Sequence, residues 1–455
     1  MSDAAANTTA FQETPEYRHE LLSGPRTKAL LIGIAGFVAY GVIGGALVSL
    51  GQADVQQFMI AYLVGFLFWV SMSLGSLFFQ SIHYVTGGRW GILMRRPMEA
   101  HMRTWAFGFV LFLPVIGMMF AGKSSIYWWA GHHPGEHEHA ATEGKKEEEK
   151  AAHKEAAEGS WHRKNVTKPN LEIDEDRKVA EYLNPVFTAV RGVLYFLIVG
   201  GAMFWILSNA MKAENSPDEE AGRIARNRQK YAGTVGIVIF ALMMAFISTD
   251  WIMSLEKTFA SSMFPVIVFD NAAIITYASG MLTLLYLKEK KHPHFENLFP
   301  PTEQIHLGSM LLAFTLAWTY FNFSQFMLIW IGNLPEEIPY YLRRTTNGWQ
   351  YYAIIMTVFH FFVPFMLLLF RHVKSDPKVL RWVCIGLLIV CFTDVFWWIN
   401  PTFIHENFSV YWLMDIAAWF GVGGVWIWYY LGQLAKRPLL PTRELYILEA
   451  YNHGH

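Results

Sequence analysis

The sequence predicts an all-α integral membrane protein of about ten transmembrane helices, arranged as two four-helix bundles plus two extra helices. Three observations predict it: ten long apolar runs, the concentration of Lys and Arg on alternate connections, and short sequence echoes between the two halves of the chain. A bilayer-spanning helix needs roughly 20 mostly apolar residues. The runs at 27–50, 56–85, 98–121, 185–210, 231–253, 262–288, 304–331, 347–371, 377–399 and 407–432 meet that need.

Charge then orients the helices. Short cytoplasmic loops carry the Lys/Arg excess. The N-terminal tail, every second connection and the C-terminal tail together hold 22 Lys and Arg, against three (Lys257, Arg343, Arg344) in the short loops of the opposite side. Both termini are therefore expected in the cytoplasm, which requires an even number of spans. Tyr127-Trp128-Trp129, Trp349, Trp397-Trp398 and Tyr411-Trp412 fall at the expected outer ends and predict an aromatic belt at the headgroup layer. Residues 1–26 are a polar cytoplasmic tail without the apolar core of a secretory signal. Helices one to three occupy 27–121, a periplasmic insertion 122–184, helices four to ten 185–432, and a cytoplasmic tail 433–455.

Composition excludes several classes. The formal net charge of −1 and the lack of any basic recognition element give no reason to expect nucleic acid. Cys384 and Cys391 are the only cysteines, too few for an iron–sulfur cluster with its usual four ligands, and read as small buried apolar residues. The insertion between His132 and Lys168 is low in complexity and too poor in apolar residues to offset ordering entropy. Its His132, His133, His137 and His139 read as part of a solvated excursion rather than a metal site.

The echoes suggest duplication. Pro97-Met98-Glu99-Ala100-His101 opens span three and Pro301-Thr302-Glu303-Gln304-Ile305-His306 opens span seven, about 204 residues apart. Asp250 near the end of span five and Asp394 near the end of span nine are 144 apart. The difference, about 60, is close to the length of the insertion 122–184. Spans two to five and six to nine are then parallel repeats related by an axis along the membrane normal.

An ionisable residue inside a span is expensive and raises a functional hypothesis. At 1.5 Å rise per residue, Asp250, Asp270, Asp394 and Asp415 lie in the outer third with Arg191, His101 and His306 lie near the inner boundary, and His360 lies close to the middle of span eight. Outer carboxylates and inner histidines make two half-channels for protons. Histidine suits the task because its charge changes near neutral pH, and burial brings a carboxyl toward the same range. The structural alternative pairs Asp250 with Arg191 and leaves the histidines as helix-end packing. A bis-histidine haem is disfavoured because His360 is the only mid-depth histidine. A secondary transporter is the rival reading, although Pro114 and Pro364 do not sit at the matched positions that interrupted transporter helices favour.

Ten spans, cytoplasmic termini, two four-helix bundles and the segment Ser248-Thr249-Asp250-Trp251-Ile252-Met253-Ser254-Leu255-Glu256 together resemble the quinol-oxidoreductase membrane subunits related to the polysulfide reductase membrane subunit (NrfD-like). Among them the likeness is nearest to the ActF-type subunits of bacterial alternative complex III. The resemblance covers nearly the whole chain, and the Asp-Trp-Ile-Met-Ser-Leu segment is its most specific piece. It implies a subunit of a respiratory assembly in the bacterial inner membrane that oxidises menaquinol or ubiquinol and passes electrons to a cytochrome c or to a terminal oxidase. It also implies iron–sulfur clusters and c-type haems on outward-facing partner subunits, and a sister ten-helix subunit with the quinol site. Lipids are further partners, and this chain is expected to hold no cofactor. Its implied role is scaffolding and proton translocation coupled to quinol oxidation, with Asp250 the residue that matches the family segment. Direct quinol binding, with Asp250 or Asp394 accepting a hydroxyl proton, is a variant of that role. The His/Glu-rich insertion does not map onto the family pattern.

Overall fold

The computed structural model describes residues 13–51, 54–87, 90–131, 181–216, 219–292, 295–334, 337–404 and 408–440. Ten long helices account for most of them. They are α1 (Pro15–Ser49), α2 (Val55–Thr86), α3 (Trp90–Met119, interrupted at Thr104), α4 (Pro185–Glu214) and α5 (Glu219–Trp251). They continue as α6 (Phe264–Glu289), α7 (Pro301–Gly332), α8 (Trp349–Leu369), α9 (Pro377–Phe403) and α10 (Phe408–Leu434). No strand occurs among the described residues. Eight of the helices, all but α7 and α10, are long and apolar enough to cross a membrane. The other two are also long: α7 carries Asn322, Ser324 and Gln325 among its apolar residues, and α10 is as long as α9.

Local chemistry fixes the helix starts. Thr14 Oγ1 accepts from Tyr17 N at 3.2 Å ahead of α1, and Asn184 Oδ1 accepts from Phe187 N at 2.8 Å ahead of α4. Asp376 Oδ1 accepts from Lys378 N at 2.8 Å ahead of α9. Each cap satisfies an otherwise orphaned N–H, and each is followed by Pro in the first turn, where no N–H is needed. α7 stops at Asn333, whose φ of 47° lies in the left-handed region that Asn tolerates.

Packing is organised around α2. It carries no Asp, Glu, Lys or Arg and is buried along nearly its whole length. A helix that is apolar all round belongs in the middle of a bundle. α2 contacts α3, α5, α6, α9 and α10. The remaining contacts repeat: α2 and α4 each touch α3 and α5, while α6 and α8 each touch α7 and α9. Where the two groups meet, α2 lies against α6 and α9, and α6 against α2 and α5. α1 and α10 stand outside both groups and pack tightly on each other. A Cβ on Gly36 would lie 2.4 Å from Gly421 N, and one on Gly424 would lie 2.2 Å from Gly33 N. Backbone meets backbone there, as small residues permit between membrane helices. The outward faces carry Leu31, Val42, Phe204, Leu197, Trp330, Ile354 and Trp382, all exposed. A continuous apolar exterior of this kind suits lipid rather than water.

Three sequence expectations change. α1 begins at Pro15 rather than at 27. Its polar first turns are held from outside the helix, since Arg18 donates to Ala435 O at 3.1 Å and Leu439 N donates to Glu13 at 2.9 Å. α3 begins at Trp90 rather than 98, and its first half buries Arg95, Arg96 and Glu99. Glu99 takes Arg95 and Arg96 at 2.8 Å each, and Arg96 also pairs with Glu214, so these charges are neutralised inside the protein. The aromatic belt does not form as expected. Tyr127, Trp129, Trp349, Trp397 and Trp398 are buried, the first two at the short turn Trp128–Ala130 and the others within α8 and α9, while Trp128 and Trp412 are half-buried. The His132–Lys168 segment and its histidines lie outside the described residues.

The α1–α10 contact makes a specific demand. Gly36→Ala is expected to cost about 1–3 kcal/mol, the usual range for overpacking. Gly41→Ala, with open space around it, is expected to cost nothing. Thermal unfolding in detergent compares the two; equal melting temperatures would contradict the contact.

Candidate functional site

Each four-helix group holds one buried Asp near the end of its last helix, and each Asp faces a base on the preceding helix. In the first group Asp250 of α5 meets Arg191 of α4. Arg191 Nε donates to Oδ2 at 2.8 Å and Nη2 to Oδ1 at 3.1 Å, a two-pronged pairing. Tyr195 Oη donates to Oδ2 at 2.6 Å. The guanidinium is further fixed by Tyr182 O at 2.9 Å, Thr188 Oγ1 at 3.1 Å and the Tyr182 ring at 3.8 Å. Both oxygens of Asp250 are thus satisfied by a base that keeps its charge at any ordinary pH. The geometry is that of a fixed ion pair joining α4 to α5.

In the second group Asp394 of α9 meets His360 of α8. His360 sits in a π-helical turn, Val358–Phe362, just before Pro364. Such a turn inserts one extra residue and often marks a functional position. His360 Nδ1 lies 3.0 Å from Asp394 Oδ2 without an aligned hydrogen bond. The same Oδ2 accepts from Asn271 Nδ2 of α6 at 2.7 Å and from Trp318 Nε1 of α7 at 2.8 Å. The imidazole stacks on the Trp318 indole, with ring centres 4.0 Å apart. Its Nε2 lies 3.9 Å from Cys391 Sγ. All four helices of the group therefore converge on one carboxyl. Oδ1 has no hydrogen-bond partner among the described residues, and His360 and Asp394 are both sealed from solvent.

The contrast between the groups is chemical. Arginine cannot give up its proton, whereas histidine gains and loses one near neutral pH. Asp394 thus faces a side chain of a type that can release its proton, and Asp250 one that cannot. Asp270, next to Asn271 on α6, is fully buried, interacts electrostatically with Asp394, and has neither oxygen hydrogen-bonded within the described protein. Asp394, His360 and Asp270 thus gather in the second bundle with the Cys391 thiol.

The remaining candidates lie elsewhere. Asp415 of α10 is buried near Asn400, which accepts from Gln57 Nε2 of α2 at 3.2 Å. Tyr352 donates to the backbone O of Thr393, the residue before Asp394, at 2.7 Å. His101 is buried, stacked on Tyr430 at 4.1 Å with Nε2 3.0 Å from Ser279 Oγ. His306 is not part of any interior cluster: its side chain is 68% exposed and lies 3.7 Å from Glu303 at the start of α7.

Sequence reasoning missed Trp318, Asn271, Tyr195 and the contact of Cys391 with His360. Asn271 carried a signal, as an amide beside Asp270 in an apolar run. Trp318 carried none, since indoles are common throughout the chain. Beside Trp318 a cleft of about 260 Å³ opens between α6, α7 and α8. Phe259, Phe264, Tyr340, Trp397 and Trp398 line it, with Asn322 and Gln325 as its amides. Among the described residues no group of three or more His, Cys, Asp and Glu side chains is placed to hold a metal ion. No family model matches the chain, and no curated protein is found to be similar to it.

The first-group pair is open to a direct test. Arg191→Met leaves Asp250 buried without its counter-charge and is expected to cost about 3–5 kcal/mol. Tyr195→Phe removes one hydrogen bond to a charged group, about 1.5–3 kcal/mol. Melting temperatures of the two variants should fall in that order; a wild-type value for Arg191→Met would refute the fixed pair.

Proposed function

We propose that the chain is a cofactor-free membrane subunit of a bacterial respiratory quinol:cytochrome c or quinol:oxidase complex of the alternative complex III type, and that it moves protons through Asp394 and His360. The observation that carries this reading is the sealed Asp394–His360 contact, the one Asp–base pairing in the two repeated groups whose base can change its charge. Asp270 extends it on one side of α6. His101, with Ser279, Thr283 and Tyr430, supplies polar groups on the inner side. Asp415, Asn400 and Gln57 supply them on the outer side.

The topology that goes with this reading has ten spans in the inner membrane and both termini in the cytoplasm. Spans two to five and six to nine form two parallel four-helix bundles, supported by the repeated contacts and by the matched Asp250 and Asp394. The iron–sulfur clusters and c-type haems belong to outward-facing partners, and a sister ten-helix subunit holds the quinol. The aromatic cleft beside Trp318 favours a second version, in which this chain itself receives a quinol ring. There Asp394 acts on the quinol through the residues around it, since proton transfer needs hydrogen-bond reach or one bridging water.

Two experiments test the proposal. A mild-detergent pull-down from native membranes through a C-terminal tag should yield several large partners and a reduced-minus-oxidised c-type haem spectrum. A colourless eluate with this chain alone would instead support a stand-alone secondary transporter. Asp394→Asn should keep the complex assembled while lowering proton release coupled to quinol oxidation by roughly 100-fold, the low end of what losing an acid–base group costs. Unchanged turnover and proton yield in that variant would remove Asp394 from the pathway.

A further inference from the structure

A second cleft, of about 650 Å³, lies between the inner ends of α4 and α5, far along the chain from the Asp394 cluster. Lys212 of α4 and Arg228 of α5 line it, with Ser208, Asn209 and Asn215, and none of its lining residues among those described is acidic. Of the described acids nearby, Glu214 pairs with Arg96, and Glu220 pairs with Arg223 at 2.8 Å. Neither Lys212 nor Arg228 makes an ion pair among the described residues.

The surface leading outward from this cleft changes character in a fixed order. At the level below the two cations, Trp205 of α4 and Tyr231 of α5 meet edge to face, ring centres 6.3 Å apart. Beyond them Leu197 (64% exposed) and Val238 (56% exposed) present bare aliphatic faces. Cations, then amphipathic rings, then aliphatic surface is the order in which a phospholipid presents its phosphate, its glycerol region and its acyl chains. Basic pockets between membrane helices on the cytoplasmic side are suited to anionic headgroups.

We infer that this cleft binds the phosphate of an anionic phospholipid, held between Lys212 and Arg228 with the acyl chains along the outer faces of α4 and α5. Arg228 offers a planar fork to two phosphate oxygens, and Lys212 a point charge. The side-chain amide of Asn215, at the end of α4, is a further donor. A zwitterionic lipid fits poorly, because its own cation would lie beside Lys212 and Arg228. The inference rests on the membrane reading of the chain and not on quinol chemistry, so a colourless pull-down would leave it standing.

The test uses the purified full-length protein in neutral detergent, titrated with phosphatidylglycerol, phosphatidylcholine or inorganic phosphate and followed by native mass spectrometry and thermal unfolding. Phosphatidylglycerol should bind and raise the melting temperature with concentration, as a ligand of the folded state must. Lys212→Gln and Arg228→Gln should each weaken it roughly fivefold and the double variant about thirtyfold, as expected for about 1 kcal/mol per basic residue at an anionic surface. Lys212→Arg should retain binding. Equal binding of phosphatidylcholine by the wild-type protein would overturn the inference whether or not the variants fold. So would unchanged affinity in the double variant. Inorganic phosphate giving the same shift at the same concentration would make this an anion site and overturn the lipid assignment.

Discussion

A charge inside an apolar helix bundle has no water to stabilise it, so it must be held by partners that the fold supplies. Most of the architecture follows from that constraint. Arg95, Arg96, Glu99 and Glu214 neutralise one another where α3 and α4 meet. Glu256 is met by Arg343, Arg344 and Thr402 Oγ1. Asp250 is locked by Arg191 and Tyr195. Asp394 differs because its partner is a neutral ring or a cation according to where a proton resides. The two Asp–base contacts thus differ in kind, since Arg191 is a permanent counter-ion and the imidazole of His360 is not.

The repeated packing explains how both contacts are reached. The last helix of each group brings its Asp against the third, and the first helices of the groups, α2 and α6, lie together at the centre. α2 has no charge and serves as a spine. α6 is its counterpart and yet carries Asp270 and Asn271, both buried, toward α9. The second group is accordingly the polar one. Its π-helical turn places His360 between Trp318 and Asp394, and the Trp318 indole joins the carboxyl to the aromatic cleft.

Much of this was legible in the amino-acid sequence, and the failures have physical causes. The apolar runs located all ten long helices, because hydropathy over about 20 residues is a strong signal. The early start of α1 was not legible, since its polar turns depend on contacts made by Arg18 and Glu13 with the far end of the chain. Asp394, His360, Asp250 and Arg191 stood out as polar residues in apolar runs, but which of them touch is decided by tertiary packing. His101 and His306 occupy similar places in the sequence echoes. One is buried against Tyr430 and the other faces outward, a difference of helix phase that position along a span does not reveal. Tyr127, Trp129, Trp349, Trp397 and Trp398 were expected to meet headgroups and are instead buried, because length and depth say nothing about which way a ring turns.

The measurement that bears most directly on the proposed role of Asp394 and His360 is infrared difference spectroscopy of the proposed quinol-oxidising complex during turnover, read in the carboxylic-acid carbonyl region. A protonation change at Asp394 predicts a band that vanishes in Asp394→Asn, shifts in His360→Gln and persists in Asp250→Asn. A band that survives Asp394→Asn, or one lost only in Asp250→Asn, would contradict the account and move the proton chemistry to the other bundle.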